Sequence, residues 1–149
     1  MIQNWERAFL EITNRCNFDC VFCLSGISER PIFDMDRDLA LSLLAQLRHL
    51  GFNKTVLLHV LGEPLLHPSV FEIVDCAADN GMRPVLFTNG GALTPEVVNS
   101  ILASKARLVV ISMQTINRGS YDLLRRTPFD WDTYLGRIQA ALAAANDPQ

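Results

Sequence analysis

Three cysteines lie close together near the start of the chain. Cys16, Cys20 and Cys23 have the spacing C-x3-C-x2-C, and an aromatic residue, Phe22, precedes the last of them. Thiolates are ligands for zinc and for iron–sulfur clusters. Three thiolates without an evident fourth ligand predict a [4Fe-4S] cluster in which each cysteine binds one iron and the fourth iron stays open. An open iron is a site for chemistry, because a small molecule can bind to it.

Zinc is the first alternative to a cluster. A structural zinc ion takes four ligands, usually in two closely spaced pairs. The other candidate ligands have no paired spacing with the cysteines, and they are His49, His59, His67 and Cys76. We expect His67 in a turn, His59 in the core or in a pocket, and Cys76 as a small buried apolar residue. A cluster is favoured, and the zinc and metal-free alternatives stay open.

The composition is that of one globular domain. The chain has 149 residues, of which 49% are hydrophobic and 19% charged, with a formal net charge of −3. This charge gives no reason to expect a nucleic acid or an anionic membrane as a partner, and no apolar run approaches the roughly 20 residues of a membrane span. The first seven residues lack the pattern of a signal peptide. We expect a cytoplasmic protein, in which clustered thiols stay reduced and available to metal.

Strand and helix patterns alternate along the chain, and these elements must position the cysteines. Strands are predicted at Ala8–Thr13, Lys54–Leu61, Arg83–Phe87 and Leu108–Ser112. Helices are predicted at Leu39–Leu50, at Val70–Asn80, from an N-cap at Thr94, at Ser120–Arg126 and at Trp131–Ala145. This alternation predicts an α/β fold with a parallel sheet built from right-handed crossovers.

The residues with chemical potential follow the predicted strands. The first strand leads into the cysteines, the second into Gly62-Glu63-Pro64, the third into Thr88–Gly91, and the fourth into Ser112–Thr115. In parallel α/β sheets, ligands bind beyond the carboxyl ends of the strands. We therefore expect these four loops to converge on one pocket.

The cysteine run and the strand ends together resemble the radical S-adenosylmethionine (SAM) enzyme superfamily. Phe22 occupies the aromatic position of the cysteine motif, and Leu61–Pro64 resembles the Gly-Gly-Glu stretch of that family, with Leu61 in place of the first glycine. Phe87–Gly90 is similar to the end of its third strand. Ile111–Ser112 and Tyr121–Arg125 resemble the members that mature peptides, activate sulfatases or modify small metabolites. The resemblance extends over essentially the whole chain.

The resemblance implies two cofactors, a [4Fe-4S] cluster and SAM. Cys16, Cys20 and Cys23 would bind the cluster. The residues that the resemblance assigns to SAM are Phe22 (adenine), Gly62 and Glu63 (methionine ammonium), Ser112 and Arg125 (carboxylate or ribose), and Thr88 and Asn89 (ribose or substrate). The implied activity is reductive cleavage of SAM to a 5′-deoxyadenosyl radical that removes hydrogen from a substrate, either a peptide or a small metabolite. An electron donor such as flavodoxin or ferredoxin is implied as a partner.

The resemblance also implies a partial parallel (β/α) barrel of TIM type. The family usually has six βα units, and about four are visible here. We therefore interpret residues 1–149 as the N-terminal portion of a radical SAM core domain, either a fragment or a short protein completed by a second chain. The fourth strand, with Val109, Val110 and Ile111, has no residue that would blunt its edge, so we expect a homo-oligomer or a C-terminal half to pair with it. The alternative function is a non-catalytic or partner-dependent half-barrel that binds the same cofactors.

Overall fold

A parallel four-stranded sheet carries the cysteine loop at one end. The computed structural model describes residues 5–146. Residues 1–4, which belong to the segment assessed for a signal peptide, and residues 147–149 lie outside the described part. The sheet has the strand order β1-β3-β4-β5, with β1 at Arg7–Phe9, β3 at Thr55–Leu57, β4 at Arg83–Thr88 and β5 at Leu108–Ile111. The predicted α/β class with a parallel sheet is confirmed.

Five α-helices connect and cover these strands. Their bounds are Arg37–His49 for α1, Val70–Asp79 for α2, Pro95–Ala103 for α3, Arg118–Leu124 for α4 and Trp131–Asn146 for α5. The predicted cap of α3 is confirmed, because the Thr94 hydroxyl accepts a hydrogen bond from the Val97 amide and Pro95 occupies the first turn. Gly51 follows α1 with a φ of 87°, a conformation that glycine adopts without strain. Within residues 5–146, no helix is long and apolar enough to cross a membrane.

The first two strands are shorter than predicted. The prediction extended β1 to Thr13. The Leu10 amide still donates to the Leu57 carbonyl at 2.8 Å, but beyond Leu10 the chain leaves the sheet and pairs with the return of the cysteine loop. The Ile12 carbonyl accepts a bond from the Met35 amide at 2.7 Å, and Thr13 forms an isolated antiparallel bridge with Asp34. The segment after β3 turns towards Gly62 instead of continuing the sheet.

A second, two-stranded sheet was not predicted. The prediction placed Arg125 and Arg126 in a helix, but α4 ends at Leu124. Arg125–Arg126 forms β6, which pairs antiparallel with β2 at Asp19–Cys20. The predicted helix was wrong at this end because backbone pairing with the cysteine loop replaces the last two predicted helical residues. This pairing ties the loop to the segment that follows β5.

Two groups of buried side chains hold the fold. The larger lies between the sheet and α1 and α2, and its fully buried members include Ile12, Leu44, Val56, Leu58, Ile73 and Leu86. The smaller packs beneath the cysteine loop and contains Phe18, Tyr121, Trp131, Tyr134 and Ile138. The cysteine loop is therefore anchored on an aromatic cluster supplied by α4 and α5.

Truncation of a sheet residue in the larger core should lower the stability of the fold. Leu86 is 0% exposed, and Leu→Ala at such sites removes packing and leaves a cavity. We expect Leu86→Ala to lower the free energy of unfolding by about 2–5 kcal/mol. Leu123, which is 76% exposed on α4, is the matched control. Leu123→Ala should change the free energy of unfolding by less than about 0.5 kcal/mol. Equal losses in urea unfolding for the two variants would contradict this core assignment.

Candidate cofactor site

The three cysteines occupy one loop that leaves β1 and returns beside it. Cys16 is exposed, Cys20 lies in β2, and Cys23 caps a 3₁₀ turn at Leu24–Ile27. The Cys23 amide donates to the Cys20 carbonyl at 3.0 Å, which closes a tight turn between these two cysteines. Desolvation raises the pKa of the Cys16 and Cys20 thiols. Ligand binding by a thiol requires its deprotonation, so metal uptake at this loop would release protons.

A cleft of about 520 Å³ opens beside Cys16. Its walls come from the cysteine loop and from the end of the second strand segment, and they include Arg15, Cys16, Asn17, Phe18, Arg30 and Leu61. Sites for small molecules and cofactors typically enclose about 300–1,000 Å³. The cleft is therefore large enough for a nucleoside-sized cofactor next to a cysteine. Of the three cysteines, Cys16 lines this cleft and Cys20 and Cys23 do not. Three thiols on one loop, one of them at the wall of a cleft, fit a cluster with one iron accessible to a small molecule.

Gly62 holds the beginning of the cysteine loop. It has a φ of 80°, and a Cβ atom at this position would lie 2.7 Å from the Thr13 carbonyl oxygen and 2.8 Å from the Arg15 carbonyl oxygen. The next amide, that of Glu63, donates to the same Arg15 oxygen at 2.7 Å. The predicted Gly-Glu motif thus contacts the cysteine loop through its backbone, and only glycine fits the approach.

The Glu63 carboxylate is buried between two strand ends. It is 1% exposed, and it accepts hydrogen bonds from the Asn89 amide at 2.6 Å and the Leu65 amide at 3.2 Å. Burial raises the pKa of Glu63, and these amide donors act in the opposite direction. Each carboxylate oxygen has two acceptor positions, so these two amides do not exhaust the hydrogen-bonding capacity of the carboxylate. Its predicted contact with the methionine ammonium stays a prediction.

Asn89 is the residue at which the strand ends meet. Its side-chain amide nitrogen donates to Asn17 Oδ1 at 2.8 Å and to Cys16 Sγ at 3.5 Å. Its Oδ1 accepts from the Gly91 amide at 2.8 Å, and its backbone carbonyl accepts from Arg125 Nη1 at 3.3 Å. Asn89 therefore links the end of β4 directly to the first cysteine and to β6.

Arg125 is buried beneath these loops. It is 4% exposed, and its guanidinium lies 4.9 Å from the ring centroid of Phe18 and 5.4 Å from that of Tyr134. Besides Asn89, it donates to the Ser112 carbonyl, so it joins the ends of β4 and β5. Its Nε is buried without a partner among residues 5–146. The predicted contact of Arg125 with SAM stays a prediction. The structure shows its hydrogen bonds to the Asn89 and Ser112 carbonyls.

The remaining predicted residues differ in their placement. The Ser112 amide donates to the Thr88 carbonyl at 2.7 Å, and the Thr88 hydroxyl accepts from the Gly90 amide at 3.1 Å. Ser112 and Thr88 thus lie with Glu63, Asn89 and Arg125 at the carboxyl ends of the strands. Phe22 is 51% exposed on the cysteine loop and belongs to neither of the buried groups among residues 5–146.

An ion pair between Glu11 and Arg30 fixes the far side of the loop. Arg30 binds the Glu11 carboxylate through two nitrogens at 2.6 and 3.1 Å, and the Leu61 amide donates to the same carboxylate at 2.8 Å. The sequence does not indicate Arg30 as the partner of Glu11. The partner lies 19 residues away in an irregular loop, so no periodicity indicates it.

This ion pair gives a pH dependence of known sign. The bonds from Arg30 hold the pKa of Glu11 below its usual range. The stability that the pair contributes is therefore present above the unfolded pKa, about 4.3, and is lost as pH falls through the lower folded value. We expect Glu11→Gln to be less stable than the unsubstituted protein at pH 7 and the difference to shrink below about pH 4. Urea unfolding across pH 3–7 measures it, and a difference that persists unchanged at pH 3 would contradict the role of Arg30.

The residues weighed as further zinc ligands lie in separate surroundings. Within residues 5–146, no three His, Cys, Asp or Glu side chains are close enough to hold a single ion, and this includes Cys16, Cys20 and Cys23. His67 sits in a turn as expected, and both of its ring nitrogens are engaged, one with the Met35 carbonyl and one with the Ser69 amide. Cys76 is half-buried against the larger core. His59 packs between the rings of Phe9 and Phe87.

Comparison with known proteins identifies the family of this chain. The family model of the Radical SAM superfamily matches residues 10–146. The AdoMet-dependent heme synthase of Methanosarcina barkeri is 34% identical over 130 residues, which cover 87% of this chain and 37% of that protein. The GTP 3′,8-cyclase of Microcystis aeruginosa is 31% identical over 147 residues, which cover 93% of this chain and 44% of that protein. The chain thus spans less than half the length of these relatives.

Solved structures show the same fold. BtrN in complex with AdoMet (SAM) and 2-DOIA superposes with a TM-score of 0.67 at 27% identity, covering 83% of this chain and 53% of BtrN. Native anSMEcpe with bound AdoMet gives a TM-score of 0.73 at 18% identity, covering 93% of this chain and 41% of that one, and shows a likeness of fold alone. Members of the matched family are enzymes that bind a [4Fe-4S] cluster and SAM. On the family match over residues 10–146, this chain belongs to the radical SAM superfamily.

Proposed function

We propose that this chain is the N-terminal portion of a radical SAM core that binds a [4Fe-4S] cluster and SAM and generates a radical. The observation that carries the proposal is the bonded network in which Asn89 connects Cys16, Glu63 and Arg125. This network brings the cysteine loop and the later strand ends to one place. A cysteine loop without such connections would equally suit electron storage.

The proposed chemistry divides between cofactor and protein. When bound, the cluster would supply the electron for reductive cleavage of SAM, and the resulting 5′-deoxyadenosyl radical would remove a hydrogen atom from the substrate. The protein's part is to hold the reactants and exclude water. We assign the cluster to Cys16, Cys20 and Cys23, and the contacts to SAM to Phe22, Gly62, Glu63, Thr88, Asn89, Ser112 and Arg125.

Substrate and partners follow from the same proposal. We propose a peptide or a small metabolite as substrate and a flavodoxin or ferredoxin as the electron donor. The cytoplasm is the proposed compartment, because its reducing conditions keep clustered thiols free of disulfides.

We further propose that the sheet is part of a TIM-type barrel that continues past β5. This strand pairs only with β4 in the described part of the chain, and Leu108 at its start is 54% exposed. An open strand edge offers its amides and carbonyls to a further strand. We expect the 149-residue chain to self-associate through this edge. Light scattering at micromolar concentration measures it, and a mass equal to one protomer would contradict this expectation.

Release of 5′-deoxyadenosine tests the proposed activity. The anaerobically reconstituted protein, reduced with dithionite, should release this nucleoside from SAM, and the same protein without reductant should not. Cys20→Ser, prepared in parallel, provides the background. An intact cluster that binds SAM but releases no 5′-deoxyadenosine would favour the alternative of a non-catalytic or partner-dependent half-barrel. This alternative is considered because the chain spans less than half the length of these relatives.

A further inference from the structure

Two of the three cysteine sulfurs face hydrogen-bond donors that the family assignment does not explain. The Ser25 hydroxyl lies 3.1 Å from Cys23 Sγ, and the Ser25 amide nitrogen lies 3.5 Å from the same sulfur. The Asn89 side-chain nitrogen lies 3.5 Å from Cys16 Sγ. Among residues 5–146, Cys20 Sγ has no donor of this kind.

The local fold fixes Ser25 in place. Cys23 has an extended backbone with φ −94° and ψ 134°, and its sulfur caps the 3₁₀ turn at Leu24–Ile27 by accepting from the amide two residues on. The Ser28 amide closes the same turn by donating to the Ser25 carbonyl at 3.3 Å. Side chains that bond to a backbone amide two residues further on are a common device at turns. Here the device brings a hydroxyl and an amide to one sulfur.

Asn89 is fixed by two shorter bonds. Its Oδ1 accepts from the Gly91 amide, so its nitrogen must face Asn17 and Cys16. An amide nitrogen carries two hydrogens and can serve both acceptors at once. A Cβ atom at Gly91 would lie 2.5 Å from Phe18 Cε1 and 2.9 Å from Asn17 Nδ2. The Gly91 amide can therefore donate to Asn89 Oδ1 in this position because residue 91 has no side chain.

We propose that Ser25 and Asn89 are positioning residues that donate hydrogen bonds to the cluster-binding sulfurs of Cys23 and Cys16 and raise the reduction potential of the cluster. The inference rests on the proposed binding of a cluster by these cysteines. Adding an electron increases the negative charge on the sulfurs, and a donor to sulfur stabilises that charge. Hydrogen bonds to sulfur are among the factors that set cluster potentials. Ser25 has the shorter contact and two donors, so its effect should be the larger.

The test compares three substitutions in one loop. Ser25→Ala removes the hydroxyl, Ser25→Thr keeps it, and Ser28→Ala makes the same truncation at an exposed serine whose hydroxyl accepts from the Arg30 amide rather than facing a sulfur. The reduction potential is measured by a redox titration followed by electron paramagnetic resonance. Ser25→Ala should shift the potential to a more negative value, whereas Ser25→Thr and Ser28→Ala should match the unsubstituted protein. Resonance Raman bands of the iron–thiolate bonds should shift in deuterated buffer, and less so in Ser25→Ala.

The outcomes separate this inference from the proposed function. Equal potentials and equal deuterium shifts for Ser25→Ala and the unsubstituted protein would overturn the inference while leaving SAM cleavage untouched. Cluster loss in Ser25→Ala alone, with retention in Ser25→Thr and Ser28→Ala, would support the hydroxyl–sulfur contact. Loss in Ser28→Ala as well would overturn the assignment to Ser25. A cluster with the expected potential shift but without SAM cleavage would contradict the proposed function and uphold the inference.

Discussion

Serine in place of Cys16, Cys20 or Cys23 is expected to leave the reconstituted protein without an intact four-iron cluster. Removing a residue that is only hydrogen-bonded to a metal ligand typically lowers metal affinity about 10–100-fold. Removing a ligand itself should therefore lower the affinity by more than about 100-fold. The measurement is iron and sulfide content per chain after anaerobic reconstitution, together with the visible absorption of the cluster.

Cys76→Ser provides the matched control for this prediction. Cys76 lies on α2, where its sulfur faces the Asn80 side-chain amide at 3.5 Å and packs against the larger core. This variant should bind as much iron as the unsubstituted protein. If Cys76→Ser lost the cluster and the three loop variants kept it, the assignment of the ligands would be wrong.

Gly62→Ala is expected to have the second large effect. A residue with a side chain in this left-handed conformation costs about 1–2 kcal/mol, and forcing a Cβ against fixed neighbours costs about 1–3 kcal/mol more. Those neighbours are the backbone atoms of Thr13, Asn14 and Arg15 at 2.7–2.8 Å, which no rotamer change can move. We expect a loss of about 2–5 kcal/mol in the free energy of unfolding. Because the displaced segment leads into Cys16, iron content should fall as well.

Gly51→Ala separates conformational strain from close contact. Gly51 also has a positive φ, 87°, but a Cβ atom there would meet nothing within 4 Å. In this control, the free energy of unfolding should fall only by the cost of the left-handed conformation, about 1–2 kcal/mol. The variant should keep its full iron content. Urea unfolding of the two variants gives the comparison. Equal losses of stability with equal iron content would show that the contact with the cysteine loop is unimportant.

Local pattern was sufficient to predict the sheet and most helix bounds. The N-cap at Thr94 is a strong helix start signal and Gly51 is a strong helix stop signal. Helices α2 and α5 begin at the predicted residues. The placement of chemical residues after parallel strands also followed from general topology. The meeting of Asn89 with Glu63, for instance, needs only that β3 and β4 be neighbours in the sheet.

Long-range pairing was beyond local pattern. Nothing in the sequence near Arg125 indicates that its backbone pairs with Cys20, so a helix was predicted where β6 forms. The burial of the Arg125 guanidinium against Phe18 depends on the same pairing. Ser25 could have been found, because a hydroxyl two residues after a sulfur has the spacing of a side-chain turn. The partnership of Glu11 with Arg30 had no such signal.

The central claim is that three thiolates hold a cluster whose remaining iron is open to SAM. Electron paramagnetic resonance of the reduced, reconstituted protein, recorded with and without SAM, tests this most directly. Binding of SAM to the open iron should change the spectrum of the cluster. A spectrum that is identical with and without saturating SAM, from a protein with a full complement of iron, would contradict the claim.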